Sequence, residues 1–307
     1  MRILVVGAGA VGGYFGGRLL EKGEDVTFLV RAARAEKLAR DGLTIHSPAA
    51  GDFHHDAPAT VTTAHVKPEY DLVLLSCKAY DLEQAIEDIA PAIGPQTTIL
   101  PLLNGMKHLQ HLDERFGAER VLGGQCVIAA TVDAEGIVRH LNASHGLTYG
   151  ERDGSESARI AAITRAMEGA KFDQRASRQI LQDMWDKWVF LATLAGMTCL
   201  MRASVGDIAR APGGRETMLA FLETCRGVAH AAGHAPHEAA MARTLAMLTD
   251  ESSSLTASML RDLEGGKAVE ADHVVGDMLS RVANGVDATV VRAAYAHLKA
   301  YEARRTS

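Results

Sequence analysis

A glycine-rich loop close to the amino terminus has the residue types and spacing that suit a phosphate-binding turn. It follows a short apolar run, residues 2–6, and a helical pattern continues from Ala10. A second apolar run, residues 25–30, ends on Arg31. The loop residues are Gly7, Ala8, Gly9, Ala10, Val11 and Gly12. Strand, GxGxxG, helix and strand in this order predict a dinucleotide-binding βαβ unit.

Each glycine of the loop has its own physical role in such a unit. Gly7 would allow the tight turn, Gly9 would let the backbone approach a pyrophosphate, and Gly12 would let the helix pack closely against the strand. The N–H groups at the helix start would hold the anion. We therefore expect these residues to bind the phosphates of a dinucleotide.

The end of the second strand indicates which nucleotide binds. An NAD site usually has an acidic residue about 20 residues beyond the glycines, where it binds the ribose 2′-hydroxyl. Here Arg31 stands in that place, and Arg34 follows one helical turn later. No carboxylate lies between Val26 and Ala35. Because a guanidinium can bind a phosphate in bidentate fashion, the sequence predicts NADPH/NADP+ as cofactor. Two solvated arginines at a helix start are the alternative.

Two further polar residues follow later predicted strands. Lys78 comes after the apolar strand at residues 70–76, and Asn104 comes after the one at residues 97–103. In open α/β sheets, ligands bind at the carboxyl ends of the parallel strands. We therefore expect both residues to contribute to cofactor binding, and Asn104 to bind substrate as well. A solvated lysine and an Asn-Gly turn residue are the alternatives.

The second half of the chain has a helical pattern without predicted strands. Glycine-rich turns separate its helical segments, which are residues 179–201, 214–232, 238–249, 254–263, 268–283 and 288–303. We predict an α/β fold with a Rossmann-type dinucleotide-binding domain at residues 1–177 and an all-helical domain at residues 178–307. A cleft between two such domains is the usual place for a substrate.

Three polar residues in the helical half have side chains suited to chemistry. Lys187 interrupts an apolar helix and could donate a proton, or it could be a lysine at a helix edge. Ser258 could bind a carboxylate, or its hydroxyl could bond to its own helix. Glu270 is expected in the first turn of a helix, where the helix dipole favours an acid in any case.

Composition excludes several classes of protein. The net charge of −6 over 307 residues argues against a nucleic-acid or anionic-membrane partner. The four cysteines form no CxxC pair, so the sequence predicts neither a zinc site nor a disulfide framework. We therefore expect the protein in the reducing cytoplasm. We expect no signal peptide and no metal site. The histidines whose spacing suggests a metal are predicted on surfaces and loops: His54, His55, His230, His234 and His237.

Five segments together resemble the ketopantoate reductase family, in the family's order and over nearly the whole chain. They are the loop with Arg31, Ser76-Cys77-Lys78-Ala79-Tyr80, Leu103-Asn104-Gly105-Met106, Trp185-Asp186-Lys187, and Ser258-Met259-Leu260-Arg261-Asp262 with Glu270-Ala271-Asp272. The resemblance implies reduction of 2-dehydropantoate to pantoate by NADPH, in the pantothenate pathway to coenzyme A. It also implies a helical domain like that of 6-phosphogluconate dehydrogenase.

The resemblance assigns roles to residues of this chain. Lys187 matches the family's general acid and Glu270 its partner carboxylate. Asn104 and Ser258 match positions that bind substrate. Arg31 and Lys78 match contacts to the phosphate end of the cofactor.

The chain departs from the family at two positions of the substrate site. The family commonly has asparagines four and eight residues after the lysine, and here those positions are Leu191 and Ala195. An apolar site tolerates apolar groups, which keeps a more apolar 2-oxo acid open as substrate. An opine or hydroxyacid dehydrogenase and a non-catalytic NADP-sensing module are further alternatives. A homodimer is open as the assembly.

Overall fold

The structure is a computed structural model that describes residues 1–306. The chain divides into two compact units. The first, here called the sheet unit, comprises Met1–Leu103 and His108–Ile180. The second, the helical unit, comprises Asn104–Lys107 and the chain from Leu181 onward. The short Asn104–Lys107 segment therefore groups with the helices, although it directly follows a strand of the sheet unit.

The sheet unit contains the strands and the first helices of the chain. Its strands are β1 Arg2–Val6, β2 Asp25–Leu29, β3 Leu43–His46, β4 Phe53–His55, β5 Ala59–Val61, β6 Leu72–Leu75, β7 Thr98–Pro101, β8 Gly123–Val132, β9 Val138–Gly150 and β10 Asp173–Ala176. Its helices are α1 Ala10–Lys22, α2 Ala32–Asp41, α3 Leu82–Ile89, α4 Lys107–Phe116 and α5 Ala158–Met167. Residue Lys107 of α4 falls in the helical unit.

Five strands form a fully parallel sheet in the order β5-β2-β1-β6-β7. All four residues of β6 and of β7 are buried, as expected for parallel strands covered on both faces. The chain runs outward from β1 through β2 to β5 and then returns to β6 beside β1. This reversal between β1 and β6 is the switch point at which doubly wound sheets bind ligands.

The remaining strands form a second, mixed sheet in the order β10-β9-β3-β4, with β8 paired to β9. The sequence pattern predicts two separate strands at residues 136–141 and 146–149, which is wrong because β9 is continuous across both. Between them the pairing with β8 has a register shift: His145 pairs with Ile128, and the next pair is His140 with Ala130. Strand β10 was missed because only one of its four side chains is partly buried, which leaves little apolar pattern.

Helix α1 carries two pairs of glycines with helical spacing, and each pair faces a different sheet. A Cβ at Gly16 would lie 2.7 Å from the Phe28 ring of the parallel sheet. A Cβ at Gly17 would lie 2.6 Å from Cδ1 of Ile45 in the second sheet. Gly12 and Gly13, one turn earlier, have equally close neighbours. The glycines therefore let α1 pack directly against both sheets.

The helical unit is all α, as predicted. Its helices are α6 Ile180–Met201, α7 Val205–Arg210, α8 Gly214–Ala231, α9 Glu238–Leu248, α10 Ser258–Glu264, α11 Asp277–Ser280 and α12 Thr289–Thr306, with a π-helical turn at Asp272–Gly276. Residue Ile180 of α6 falls in the sheet unit. Among the described residues, no helix is both long and apolar enough to cross a bilayer.

One prediction for the helical unit is wrong, and one short helix was missed. The sequence pattern indicated one α-helix at residues 268–283, whereas residues 268–270 are irregular and Asp272–Gly276 is π-helical. Helix α7 was not predicted because it has only six residues; a capping box formed by Ser204 and Asp207 begins it.

Candidate functional site

The glycine loop lies between β1 and α1 and has the geometry of an anion-binding turn. Gly7 has φ of +87°, which only glycine adopts without strain. A Cβ at Gly12 would lie 2.2 Å from the carbonyl oxygen of Gly7 and 2.3 Å from Oγ of Ser76. Gly9 is the N-cap of α1, and a Cβ there would meet nothing within 4 Å. The loop is therefore closely packed at Gly12 and leaves open space at Gly9, where α1 begins.

Arg34 binds the glycine loop itself and is not a solvated arginine. Its guanidinium donates to the carbonyl oxygen of Ala8 at 2.9 Å and to that of Gly136 at 3.3 Å. Burial lowers the pKa of this guanidinium. Its role here is to brace the loop backbone.

Arg31 is the N-cap residue of α2 and extends toward solvent, with 78% of its side chain exposed. Its Nη2 lies 3.1 Å from Oδ1 of Asp81. Asp81 ends the 3₁₀ turn Ala79–Asp81, whose N-cap is Lys78. The fold therefore places the carboxylate of Asp81, which follows β6, beside Arg31, although no carboxylate lies near Arg31 in sequence. Sequence reasoning missed Asp81; the only signal was its position three residues after Lys78.

Lys187 and Asn104 meet in the helical unit. Lys187 lies on α6 and is half-buried. Its neighbours in sequence, Met184, Trp185 and Trp188, are buried. Its Nζ lies 3.1 Å from Oδ1 of Asn104, to which it donates a hydrogen bond. Asn104 precedes Gly105, whose φ of +81° makes the turn into α4. A cation and an amide from distant parts of the chain therefore share one small polar site.

Glu270 lies before the π-helical turn and not in the first turn of a helix, where the sequence had placed it. Its carbonyl oxygen accepts a hydrogen bond from the Val274 N–H at 3.1 Å, so Glu270 stands at the start of the turn. The residue is 8% exposed. The indole Nε1 of Trp188 donates to the carbonyl oxygen of Val274 at 3.1 Å. The helix that carries Lys187 is therefore bonded to the turn that Glu270 begins.

Ser258 is exposed and is the first residue of α10. The start of α10 is tied to α6, because the Ala257 N–H donates to Oγ1 of Thr198 at 3.4 Å. Because Ser258 begins α10, no earlier turn of that helix offers its hydroxyl a carbonyl acceptor.

The two positions that depart from the family differ in exposure. Leu191 is half-buried on α6, one turn after Lys187. Ala195, a further turn along, is 1% exposed. These positions contribute only aliphatic surface to α6.

The described residues contain no group of three metal-ligating side chains that could hold a metal ion. Two histidines of the helical unit contact neighbouring side chains: Nδ1 of His237 lies 3.1 Å from Oδ2 of Asp186, and the His234 ring stacks on Trp185. All four cysteines are free thiols. Burial raises the pKa of Cys199 and of Cys225 to about 12, so neither is a reactive thiolate at neutral pH.

Two family models match this chain in its two halves. The one described as ketopantoate reductase PanE/ApbA matches residues 3–154, and the one described as ketopantoate reductase PanE/ApbA C terminal matches residues 179–302. The chain belongs to the ketopantoate reductase family. As a member of that family it is an oxidoreductase with a Rossmann-type α/β domain and a helical domain.

Several relatives resemble this family member over its whole length. An uncharacterized oxidoreductase, YkpB of Bacillus subtilis, is 38% identical over 99% of this chain and 100% of its own length. The crystal structure of 2-dehydropantoate 2-reductase from Geobacter metallireducens is 28% identical, with a TM-score of 0.87 over 98% of this chain and 99% of that one.

A structure with a different activity has the same fold. A ternary complex of D-mandelate dehydrogenase with NADH and anilino(oxo)acetate has a TM-score of 0.86 and 20% identity, and covers 100% of this chain and 99% of that one. At this identity the likeness concerns the fold alone. One fold thus carries ketopantoate reductases and a dehydrogenase with another substrate.

Proposed function

We propose that this protein reduces the C2 carbonyl of 2-dehydropantoate to the alcohol of pantoate, with NADPH as cofactor. The observation that carries the proposal is the 3.1 Å contact between Nζ of Lys187 and Oδ1 of Asn104. Reduction of a carbonyl requires a proton donor for the developing alkoxide and polar groups that orient the substrate. The Lys187 ammonium would be the proton donor, and the Asn104 amide beside it would orient the substrate.

The glycine loop fits a dinucleotide, which would supply the hydride when bound. The open space at Gly9 admits a pyrophosphate to the N-terminus of α1, where the N–H groups and the helix dipole favour an anion. Arg34 keeps the loop backbone in place through the Ala8 carbonyl. Arg31 and Lys78 are the cations proposed to bind the phosphate of the adenosine ribose.

Lys187 is the proposed general acid. Its ammonium would stabilise the alkoxide that forms at C2 and then transfer a proton to it. Because Oδ1 of Asn104 accepts from Lys187, the Nδ2 hydrogens of Asn104 are the donors proposed to bind the 2-oxo acid. The carboxylate of Glu270 would hold either the Lys187 ammonium or a substrate hydroxyl. The Ser258 hydroxyl would bind the substrate carboxylate.

A panel of 2-oxo acids tests this function. The purified protein is mixed with NADPH and each acid, and oxidation is followed at the NADPH absorbance band. We expect the highest kcat/KM for 2-dehydropantoate, and much lower values for pyruvate and for amine-dependent opine formation. NADPH binding without turnover of any 2-oxo acid would refute the proposal and favour an NADP-sensing module.

A second candidate is a reductase for a more apolar 2-oxo acid. The aliphatic side chains of Leu191 and Ala195 favour it, because neither can bond to the 4-hydroxyl of 2-dehydropantoate. The discriminating comparison is 2-dehydropantoate against the same acid without its 4-hydroxyl. If the deoxy acid is reduced with the higher kcat/KM, the second candidate is correct. The double variant Leu191→Asn, Ala195→Asn should then shift the preference back toward 2-dehydropantoate.

The proposed product places the protein in the cytoplasmic pathway to pantothenate and coenzyme A. Expression of this chain should restore growth of a strain that lacks its ketopantoate reductase, on medium without pantothenate. The Lys187→Ala variant, expressed at the same level, should not restore growth. A homodimer is the proposed assembly, and light scattering on the purified protein would measure it.

A further inference from the structure

We propose that Trp188 is a positioning residue, which fixes the site by binding the π-helical turn that follows Glu270. This inference rests on the proposed function, because it gives Trp188 a part in that reaction. Trp188 is adjacent to Lys187 in sequence, but its own side chain is 1% exposed and makes no contribution to proton transfer in the proposed mechanism.

The indole N–H of Trp188 bonds directly to the backbone of the turn. Its Nε1 donates to the Val274 carbonyl oxygen at 3.1 Å, in a fully buried environment. In a π-helical turn such as Asp272–Gly276 each N–H bonds to the carbonyl five residues earlier, so the register differs from that of an α-helix. The indole adds a buried hydrogen bond to this turn, and a typical hydrogen bond contributes about 0.5–1.5 kcal/mol.

The same turn is in contact with the segment that carries Asn104. A Cβ at Gly105 would lie 2.6 Å from the carbonyl oxygen of His273 and 3.7 Å from Nε1 of Trp188. Only a glycine allows this approach, and its φ of +81° is favoured by glycine as well. Asn104, Lys187 and Glu270 thus lie on three segments that converge on one turn.

Helix α12 also binds the turn. The Tyr295 hydroxyl donates to Oδ1 of Asp272 at 2.6 Å, and Lys299 donates to Oδ2 at 3.0 Å. A Cβ at Gly276 would lie 2.8 Å from the Tyr295 ring, so ring and turn are in direct contact. The turn is therefore bound by side chains of both α6 and α12.

The guanidinium of Arg281 lies over the indole ring of Trp188. Its guanidinium carbon lies 5.5 Å from the centre of the Trp188 ring. Arg281 is in turn paired with the buried carboxylate of Asp277, with Nε 3.0 Å from Oδ1. The indole binds the Val274 carbonyl oxygen, and the Val274 N–H binds the Glu270 carbonyl oxygen. The position of the indole therefore affects the position of Glu270. A displacement of about 1 Å in a catalytic group can cost on the order of 100-fold in rate.

The test compares two substitutions of the same kind on the same helix. Trp188→Phe retains a buried aromatic ring but removes the donor. Trp185→Phe is the matched control, because Trp185 is equally buried, 5.0 Å from the Trp188 ring, and also beneath Arg281. For Trp188→Phe we expect kcat to fall about 10-fold to 100-fold with the Kd of NADPH within about twofold. Trp185→Phe should keep kcat within about threefold of the unsubstituted protein. Its melting temperature should fall by about as much as that of Trp188→Phe.

Hydrogen–deuterium exchange supplies a readout that does not depend on activity. Exchange of the amides at residues 270–277 should be faster in Trp188→Phe and unchanged in Trp185→Phe. If Trp188→Phe fails to fold, Tyr295→Phe on the outer side of the turn is the second variant. It should accelerate the same amides and lower kcat more modestly than the indole substitution.

The outcomes separate this inference from the proposed function. Equal loss of kcat in the two tryptophan variants, or unchanged exchange at residues 270–277, overturns the role of Trp188. Absence of 2-oxo acid reduction in the unsubstituted protein instead overturns the proposed function. In that case the exchange measurement still decides whether the indole holds the turn.

Discussion

The ammonium of Lys187 lies 3.1 Å from the amide oxygen of Asn104, although 83 residues separate the two along the chain. Asn104 belongs to a four-residue segment that groups with the helical unit, although it follows strand β7 in sequence. The Asn104 amide orients the Lys187 ammonium. Because Oδ1 of Asn104 accepts from Lys187, its Nδ2 group is left to donate to another molecule.

Replacement of Lys187 should abolish most turnover without loss of cofactor binding. Lys187→Ala removes the proposed proton donor, for which general acid catalysis typically contributes about 10²–10⁴-fold. We expect kcat to fall by at least about 100-fold, with the Kd of NADPH within about twofold. Lys267→Ala, at an exposed lysine of the same unit, is the control and should leave kcat unchanged. Near-normal turnover in Lys187→Ala would remove this residue from the mechanism.

Replacement of Asn104 should act mainly on substrate binding. Asn104→Ala removes the amide that Lys187 contacts and the donors proposed for the 2-oxo acid. Hydrogen bonds to charged groups contribute about 1.5–3 kcal/mol, so KM should rise by about 10-fold to 100-fold. Steady-state kinetics over a range of substrate concentrations measures this. An unchanged KM together with a large loss of kcat would mean that Asn104 serves only to hold Lys187.

The Arg31–Asp81 ion pair should control the choice between NADPH and NADH. The Asp81 carboxylate lies 3.1 Å from the guanidinium that is proposed to bind the 2′-phosphate, so it competes with and repels that phosphate. Asp81→Asn should increase NADPH affinity, and Arg31→Ala should decrease it, while NADH affinity changes little in both. Calorimetric titration with each nucleotide measures the four constants. Arg40→Ala, at an exposed arginine on the same helix, is the control. If Arg31→Ala binds NADPH as tightly as the unsubstituted protein, the predicted cofactor preference is wrong.

Substitutions of glycine by alanine should have opposite effects in α1 and α8. A Cβ at Gly16 would lie 2.7 Å from the Phe28 ring, and overpacking of this kind costs about 1–3 kcal/mol. At Gly227 of α8 a Cβ would meet nothing within 4 Å, so alanine should stabilise the helix by about 0.5–1 kcal/mol. Denaturant unfolding followed by circular dichroism measures both. Equal effects of the two substitutions would contradict the close packing inferred for α1.

The Glu151–Arg159 pair should make stability fall in acid. Hydrogen bonds from Arg159 hold the pKa of the Glu151 carboxyl below its ordinary value of 4.5. A depressed folded-state pKa contributes stability that is complete above the unfolded-state value and is lost as the pH falls through the folded-state value. Glu151→Gln should therefore lower the free energy of unfolding at pH 7, and its difference from the unsubstituted protein should shrink below about pH 4.5. Urea unfolding at several pH values measures this, and a difference that stays constant with pH would contradict it.

Local pattern was sufficient for the elements whose signal lies in neighbouring residues. The βαβ unit from Arg2 to Leu29 and helix α6 have continuous periodicity, and both were predicted. Elements without such a pattern were missed, namely the largely exposed strand β10 and the six-residue helix α7. The π-helical turn was also missed, since its register depends on the donors that surround it and not on its own side chains.

The chain's residue order alone determined the family, the two kinds of domain and the chemistry of the candidate side chains. Tertiary structure alone decided that Asp81 reaches Arg31, that Arg34 braces the glycine loop, and that Lys187 meets Asn104. The physical reason is the range of the interactions. Periodicity and turn chemistry act between residues a few positions apart. Ion pairs and buried hydrogen bonds join residues tens of positions apart, and they exist only after the segments that carry them have packed.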